Sequence, residues 1–131
     1  MELDDLYSYF PKSCGLSDPE YWSLLLIYKG VVTQSRISGI LYVSRQTINS
    51  AFKQLVKKEL ITLEPYEDNQ RSKKASLTSE GRRIVEEQVA YMHQKEEQAW
   101  GKLSEEEREQ LARLTRKFTD ALRETIGDLK K

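Results

Sequence analysis

The chain is 131 residues long, which fits one domain, and its 38% hydrophobic and 32% charged residues are typical of a folded, polar protein. Its longest apolar run, Leu24 to Tyr28, is far shorter than the ~20 residues of a membrane-spanning helix. The acidic start MELDDLYSYF lacks the order of a signal peptide. With Cys14 and His93 as the single residues of their types, an internal disulfide and a four-ligand zinc site within one chain are excluded, so we expect no metal and no cofactor. The usual nucleotide-binding and hydrolase motifs are absent, which argues against an enzyme with catalytic residues.

Charge is unevenly distributed along the chain. The 21 basic and 21 acidic side chains cancel, so any electrostatic argument for nucleic acid must be local. Residues 33–77 carry eight basic and four acidic side chains, a net charge of +4, whereas residues 1–32 and 78–131 carry −3 and −1. A basic segment in a neutral chain suits a nucleic-acid contact surface, although such a segment also arises by chance.

The first part of the chain predicts two helical segments. Apolar spacing over residues 3–10 predicts a short helix that Pro11 ends. Ser17 and Glu20 stand at the positions of a capping box, and the helix that follows, Tyr21 to Tyr28, is apolar on nearly every side. We therefore expect this second helix to lie at the centre of the protein.

Two helices joined by a very short turn are predicted next, over residues 33–41 and 44–58. Thr33 and Ser44 are their expected N-caps, and Tyr42 lies in the turn, where helix-turn-helix proteins often have glycine. The second helix has an apolar face opposite a face of hydrogen-bond donors that contains no acid. The residues of this donor face are Arg45, Gln46, Asn49, Ser50 and Lys53.

A β-hairpin is predicted directly after these helices, over residues 60–77. Residues 60–64 are rich in β-forming residues, residues 65–74 predict a polar loop, and residues 75–77 predict a short return strand. The order helix, tight turn, helix and hairpin is that of the winged helix-turn-helix, in which the hairpin is the wing. The cations available to reach phosphates from this wing are Arg71, Lys73 and Lys74.

The donor face of the second helix predicts contact with double-stranded DNA. Such a helix enters the major groove, so its exposed face needs donors and no carboxylates. Arg45 at the helix start could pair with guanine O6 and N7, and Asn49 or Gln46 could pair with adenine. Each of these residues alone also fits an ordinary solvated helix face. The prediction of DNA binding therefore depends on the whole arrangement of two helices, donor face and basic wing.

Two long helices are predicted to complete the chain, over residues 79–100 after the cap Thr78 and over residues 105–129 after the capping box of Ser104. The last helix carries a continuous apolar stripe. A single chain offers few partners for it, so we predict a symmetric homodimer in which terminal helices interleave. The alternative is an up-down helical hairpin within one chain. The stripe residues are Leu111, Leu114, Phe118, Leu122, Ile126 and Leu129.

Three segments carry a resemblance to a known family. The sequences SRQTINSAFKQLVKKELI (44–61), DNQRSKKASLT (68–78) and LTSEGRRIVEE (77–87) resemble the MarR family of multiple-antibiotic-resistance-type transcriptional regulators. The resemblance implies a mainly α fold in one domain. Its implied parts are a winged helix-turn-helix lobe over 17–78, a wing over 60–77, and dimerisation helices over 1–16 and 79–131.

The resemblance also implies partners and site residues. The family binds DNA as a homodimer at operators with two-fold symmetry, with the recognition helix in the major groove and a wing arginine, here Arg71, in the minor groove. The acid that usually holds this arginine is replaced by Asn69, and Asp68 is the nearest acid. The complete predicted set of DNA contacts is Ser44, Arg45, Gln46, Thr47, Asn49, Ser50, Lys53, Arg71, Lys73 and Lys74.

The family frequently binds a small aromatic or phenolic effector between the dimer helices and the DNA-binding lobe. A lone cysteine raises redox sensing as an alternative, with Lys12 lowering the thiol pKa of Cys14. The candidate effector residues could grip a planar ligand, or they could simply fill the core or the dimer interface. These candidates are Tyr7, Tyr21, Trp22, Leu25, Tyr28 and Tyr91.

The sequence therefore predicts a cytoplasmic, dimeric, DNA-binding transcriptional regulator that makes no use of a membrane. Most often such a protein is a repressor, which occupies a promoter operator and is released by its effector. One alternative is a winged-helix module that binds proteins rather than DNA. Another is an enzyme that uses the acids of residues 105–107, although in the first turn of a helix these acids are expected to cap it and to complement its dipole.

Overall fold

The predicted order of helices, hairpin and long helices is that of the structure, a computed structural model that describes residues 2–66 and 69–127. Residues 66 and 69–72 are described by their backbone only. The fold is mainly α with a two-stranded antiparallel sheet, which confirms the predicted fold class. The elements are α1 (Glu2–Tyr7), α2 (Tyr9–Ser13), α3 (Asp18–Tyr28), α4 (Gln34–Leu41), α5 (Arg45–Lys57), β1 (Ile61–Tyr66), β2 (Asn69–Leu77), α6 (Ser79–Trp100) and α7 (Glu105–Ile126).

Side-chain caps fix where helices α3 to α7 begin. The Ser17 hydroxyl accepts a hydrogen bond from the backbone N–H of Glu20 at 3.3 Å, and the Glu20 carboxylate accepts one from the N–H of Ser17. Ser104 and Glu107 form the same capping box at α7. The other predicted caps are confirmed as well, and they are Thr33, Ser44 and Thr78.

The prediction that Pro11 ends the first helix is wrong. The break lies at Ser8, and α2 continues through Pro11 to Ser13. Pro11 is the third residue of α2, where the backbone N–H has no partner within the helix, so a residue without an N–H is tolerated there. The Ser8 hydroxyl donates to the Asp18 carboxylate at 3.1 Å, which ties the break to the start of α3.

The core of the winged lobe is built around α3, as its apolar sequence predicts. α5 packs its apolar face against α3, and the first residue of β1 and Val85 of α6 join the same cluster. Burying each large apolar side chain contributes roughly 1.5–3 kcal/mol, so this cluster is the main source of the lobe's stability. Its largest fully buried members are Tyr21, Leu24, Ile37, Ile48, Phe52, Leu55, Ile61 and Val85.

The wing has longer strands than the sequence predicts, so the prediction of a loop over residues 65–74 is wrong at residues 65, 66 and 69–74, and residues 67 and 68 lie outside the described residues. β1 and β2 pair antiparallel from Ile61 opposite Leu77 to Tyr66 opposite Asn69, with an irregularity after Pro65. Both strands are edges of a two-stranded sheet, where a proline can leave its missing N–H on the unpaired side. Residues 69–74, NQRSKK, include no apolar residue, so this part of β2 gives no signal of alternating apolar and polar residues.

The wing and α6 meet at a junction that leaves no room for a side chain at Gly81. The Thr78 hydroxyl donates to the carbonyl of Glu59 at 2.7 Å and accepts from the N–H of Gly81 at 3.0 Å. A Cβ atom added at Gly81 would lie 2.1 Å from the carbonyl oxygen of Leu60. This close approach explains the Leu-Thr-x-x-Gly element that begins α6.

The chain divides into two compact units, Met1–Met92 and His93–Lys131. In the second unit, Arg108 Nε donates to the carbonyl of Trp100 at 3.0 Å, and α7 ends at Ile126 with Gly127 as its C-cap. The prediction that this helix continues to residue 129 is wrong at Gly127, and residues 128 and 129 lie outside the described residues. The predicted division into a lobe and dimerisation helices stays a prediction. Among the described residues, no helix is both long enough and apolar enough to cross a membrane.

Candidate nucleic-acid interface

The donor face of α5 is held outward by the burial of the opposite face. Ile48, Phe52 and Leu55 lie in the core and are at most 1% exposed. All five residues of the predicted donor face are exposed, and the described helix contains no acid. The fold therefore presents amide, hydroxyl and cationic groups together on one side of α5.

The start of α5 is fixed by two of the predicted contact residues. The Ser44 hydroxyl accepts from the N–H of Thr47 at 3.0 Å, and the two hydroxyl oxygens lie 2.8 Å apart. Both hydroxyls are thus engaged in capping the helix. Arg45 and Gln46 lie between them and are exposed.

A cleft of about 360 Å³ brings residues of α4, α5 and the wing together. Arg45 and Lys53 of α5 line it with Lys73 of β2, so three cations from two segments share one concave surface. None of the described lining residues is acidic, which makes the cleft suitable for a polyanion. The full lining is Thr33, Gln34, Ser35, Arg45, Asn49, Phe52, Lys53, Leu63 and Lys73.

Gln34 is one of the cleft residues that the predicted set of DNA contacts does not include. Its side-chain Nε2 donates to Oδ1 of Asn49 at 3.4 Å, which links α4 to the donor face of α5. The only available sequence signal is its position directly after the N-cap Thr33, at the start of the helix that precedes α5. That position places Gln34 near the surface but does not identify its partner.

The wing cations differ in their surroundings. Lys73 is exposed and lies opposite Pro65 in the sheet register, whereas Lys74 is half-buried and lies opposite Glu64. Directly opposed residues of an antiparallel pair face the same side, so Lys74 shares a face with an acid, whereas Lys73 shares a face with a proline. The side chain of Arg71, together with Asp68 as its predicted partner, lies outside the described residues.

The candidate effector residues divide between the core and its margin. Tyr21 and Leu25 are 2% and 7% exposed, and the Tyr21 ring stacks edge-on against Trp22 with centroids 4.9 Å apart. Tyr28 is exposed, and the guanidinium of Arg82 lies 5.7 Å from its ring centroid. Burial of Tyr21 and Leu25 favours the alternative in which these two residues fill the core.

Tyr7 and Tyr91 form a second aromatic group at the margin of the lobe. Both rings contact Phe10, at centroid distances of 5.8 and 6.1 Å, and the hydroxyls of Tyr9 and Tyr91 lie 3.4 Å apart. These two half-buried tyrosines therefore share Phe10 as a ring contact. A planar effector remains a prediction for both groups.

Cys14 has the surroundings of a packed thiol. Its Sγ donates to the carbonyls of Phe10 and Pro11 at 3.6 and 3.5 Å. Burial raises the pKa of the Cys14 thiol, and the cation that partly opposes this shift is Lys58, not Lys12 as predicted. A raised thiol pKa lowers the thiolate fraction and therefore argues against a reactive redox sensor.

The described residues also contain no cluster of potential metal ligands.

Comparison with known proteins confirms the resemblance to the MarR family, whose model matches residues 15–72. The structure of MepR, a transcription regulator of the Staphylococcus aureus multidrug efflux pump MepA, is 26% identical over 92% of this chain and 90% of that chain, with a TM-score of 0.70. An S. aureus MepR–DNA complex is 24% identical over the same shares, with a TM-score of 0.77. A MarR protein from Peptoclostridium difficile is 15% identical over 98% and 85%, with a TM-score of 0.80. No curated protein sequence matches the chain.

Proposed function

Because its winged lobe matches the MarR family and its fold matches MarR-type regulators, we propose that this protein is a sequence-specific, double-stranded-DNA-binding transcriptional regulator and not an enzyme. The observation that carries the proposal is the acid-free, exposed face of α5 beside Lys73 of the wing. Carboxylates on such a face would repel phosphates, whereas donors and cations bind phosphates and base edges.

The residues of this face take different roles in the proposal. α5 enters the major groove, where Arg45, Gln46 and Asn49 read base edges. Lys53 and Lys73 bind phosphates from the two sides of the cleft. The wing, including Arg71, reaches the neighbouring minor groove.

We further propose that the protein acts in the cytoplasm as a homodimeric repressor. The apolar stripe of α7 supports a dimer, because its five described residues are 43–68% exposed in the single chain. A two-fold dimer places two recognition helices about 34 Å apart, so the operator is a pseudo-palindrome. Occupation of such an operator within a promoter blocks transcription by steric exclusion.

Release by a small aromatic ligand completes the proposed mechanism. A ligand that binds one arrangement of the two lobes better than another shifts the population toward that arrangement and changes the spacing of the recognition helices. The marginal tyrosines Tyr7, Tyr28 and Tyr91 support this step better than the buried Tyr21 and Leu25, because a ligand can reach them with less rearrangement.

Fluorescence anisotropy tests the proposal with the purified protein, the DNA upstream of its own coding sequence and a scrambled duplex, at two salt concentrations. We expect tight binding to the upstream DNA that weakens steeply with salt. Lys53→Ala removes one cation that binds a phosphate, so it should reduce the slope of log affinity against log salt by about 1. Lys117→Ala on α7 is the control and should leave the slope unchanged.

The same titration separates the proposal from the protein-binding alternative. Binding that is weak, equal on both duplexes and insensitive to salt would leave the winged lobe without a DNA role at this promoter. A selection from fragments of the whole genome then decides, since a protein-binding module enriches no fragment.

A further inference from the structure

The side-chain pair Gln34–Asn49 lies inside the cleft that the proposed DNA contacts surround. Gln34 is the first residue of α4, and its position is fixed because Thr33 caps that helix by accepting from the N–H of Arg36 at 3.4 Å. Asn49 lies on the exposed face of α5, one turn after Arg45. Through a contact with Asn49, Gln34 can influence how Asn49 meets a base.

The hydrogen bond between these residues has a direction. Gln34 Nε2 donates and Asn49 Oδ1 accepts, at 3.4 Å. The Asn49 carboxamide has one acceptor end and one donor end, so engaging the oxygen toward α4 leaves the Nδ2 hydrogens available to another partner. Asn49 is therefore presented as a donor.

The direction matters because bases differ in what they offer in the major groove. A bidentate pair with adenine uses both ends of a carboxamide, since the oxygen accepts from adenine N6 and the nitrogen donates to N7. Guanine offers two acceptors, N7 and O6. A carboxamide whose oxygen is already engaged matches guanine better than adenine.

We propose that Gln34 is a specificity-determining positioning residue, which turns the donor end of Asn49 toward the DNA and so selects guanine at the base pair that Asn49 reads. This inference rests on the proposed function and replaces the adenine pairing expected for Asn49 from sequence. Lys53 and Lys73 around the same cleft hold the DNA backbone, which fixes the distance at which Asn49 meets the base.

Selection from a duplex library with a random core of roughly 20 base pairs, two helical turns, tests the inference on the full chain. We expect the unmodified protein to enrich guanine at one position of each half-site, and Asn49→Ala to abolish that preference and thereby identify the position. Gln34→Ala should lower the preference for guanine about tenfold there and leave the other positions unchanged. Gln94→Ala, at an exposed glutamine of α6, is the matched control and should change nothing.

Gln34→Glu provides a second variant with an opposite expectation. A carboxylate can only accept, so it would take a hydrogen bond from Asn49 Nδ2 and turn Oδ1 toward the DNA. Preference at the same position should then shift toward a base that offers a donor, cytosine or adenine. Base preference is a ratio within one selection, so the weaker overall binding caused by the added negative charge cancels.

The outcomes distinguish this inference from the proposed function. If the unmodified protein enriches no sequence, the proposed function fails and the inference fails with it. If it enriches a sequence and Asn49→Ala identifies the position, but both Gln34 variants keep the original preference, only the inference fails. Enrichment of adenine by the unmodified protein at that position would also overturn it.

Discussion

Helices α5 and α7 have the same kind of sequence and opposite surroundings. Each repeats apolar residues at spacings of three and four, and each has a polar opposite face. In α5 the residues Ile48, Phe52 and Leu55 are at most 1% exposed, whereas in α7 Phe118 is 68% exposed and Leu122 45%. An apolar face therefore predicts that a helix will be covered, but not whether its own chain covers it.

The two helices differ in whether a single chain covers their apolar face. The winged lobe buries its apolar faces against each other, with α3 at the centre. No described residue of α7 is buried. Covering each large apolar side chain contributes roughly 1.5–3 kcal/mol, so a second copy of α7 would gain substantially by pairing.

The largest expected effect is on association. Phe118→Glu removes an apolar ring and places a charge in the proposed interface, and two-fold symmetry applies the change twice. We expect the dimer dissociation constant to rise roughly 10³-fold or more, as measured by sedimentation velocity. Lys117→Glu is the control beside it, and it should leave the dimer intact. A Phe118→Glu protein that sediments as the unmodified protein does would break the comparison between α5 and α7.

Gly81→Ala tests the lobe by overpacking. The added Cβ would meet the Leu60 carbonyl at 2.1 Å, so the junction of wing and α6 must move, at a cost of about 1–3 kcal/mol in the free energy of unfolding. Gly39→Ala is the matched control, because nothing lies within 4 Å of its Cβ position on α4. There the same substitution should stabilise by roughly 0.5–1 kcal/mol. Equal shifts of the urea midpoint in the two variants would contradict the close approach.

Tyr42→Gly should have a smaller effect of opposite sign to Gly81→Ala. Tyr42 ends α4 with φ +57°, the left-handed conformation in which a Cβ atom is unfavourable, and its side chain is 72% exposed. We expect glycine to stabilise the lobe by about 1 kcal/mol, measured by urea denaturation. Tyr42→Ala keeps the Cβ atom, so it serves as the control. A gain with alanine as large as that with glycine would place the cost in the tyrosine ring rather than in the backbone.

Local patterns predict much of this fold. The N-caps Ser17, Thr33 and Ser104 lie where the sequence places them, because a cap is read from three or four consecutive residues. The prediction for Pro11 is wrong because the effect of a proline depends on how far it lies from the start of the helix, and α2 starts at Tyr9, directly after the break at Ser8. The strands of the wing are longer than predicted because residues 69–74, NQRSKK, include no apolar residue and so give no alternating pattern.

Contacts between residues distant in sequence limit how much of the candidate site the sequence can predict. The donor face of α5 follows from periodicity alone, but Gln34 lies 15 residues from Asn49, and no spacing rule connects them. Gly81 is visible within a motif, but its reason, the carbonyl of Leu60, emerges only when the wing and α6 are packed together.

The smallest expected effect is on the pH dependence of stability and concerns Cys14. Its thiol tests whether the winged lobe folds without a second copy of the chain. Burial raises the pKa of this thiol in the folded protein. The folded state therefore holds the proton more tightly than the unfolded state does. The resulting stability is present below the ordinary thiol pKa of about 8.5 and is lost as the pH rises through the raised value. Cys14→Ser should remove this part of the alkaline fall in the free energy of unfolding.

Alkylation by iodoacetamide measures the burial of the Cys14 thiol in the Phe118→Glu variant. The reaction requires thiolate, so at about pH 8 the folded protein should react more slowly than the protein in urea. Because Cys14 packs against the core cluster of the winged lobe, the slow rate should persist in Phe118→Glu, the variant that is expected to be monomeric. A rate in Phe118→Glu that rises to the rate in urea would mean that the lobe depends on the second copy. That result would contradict the conclusion that one chain is enough to fold the lobe, and it would leave the conclusion about α7 unchanged.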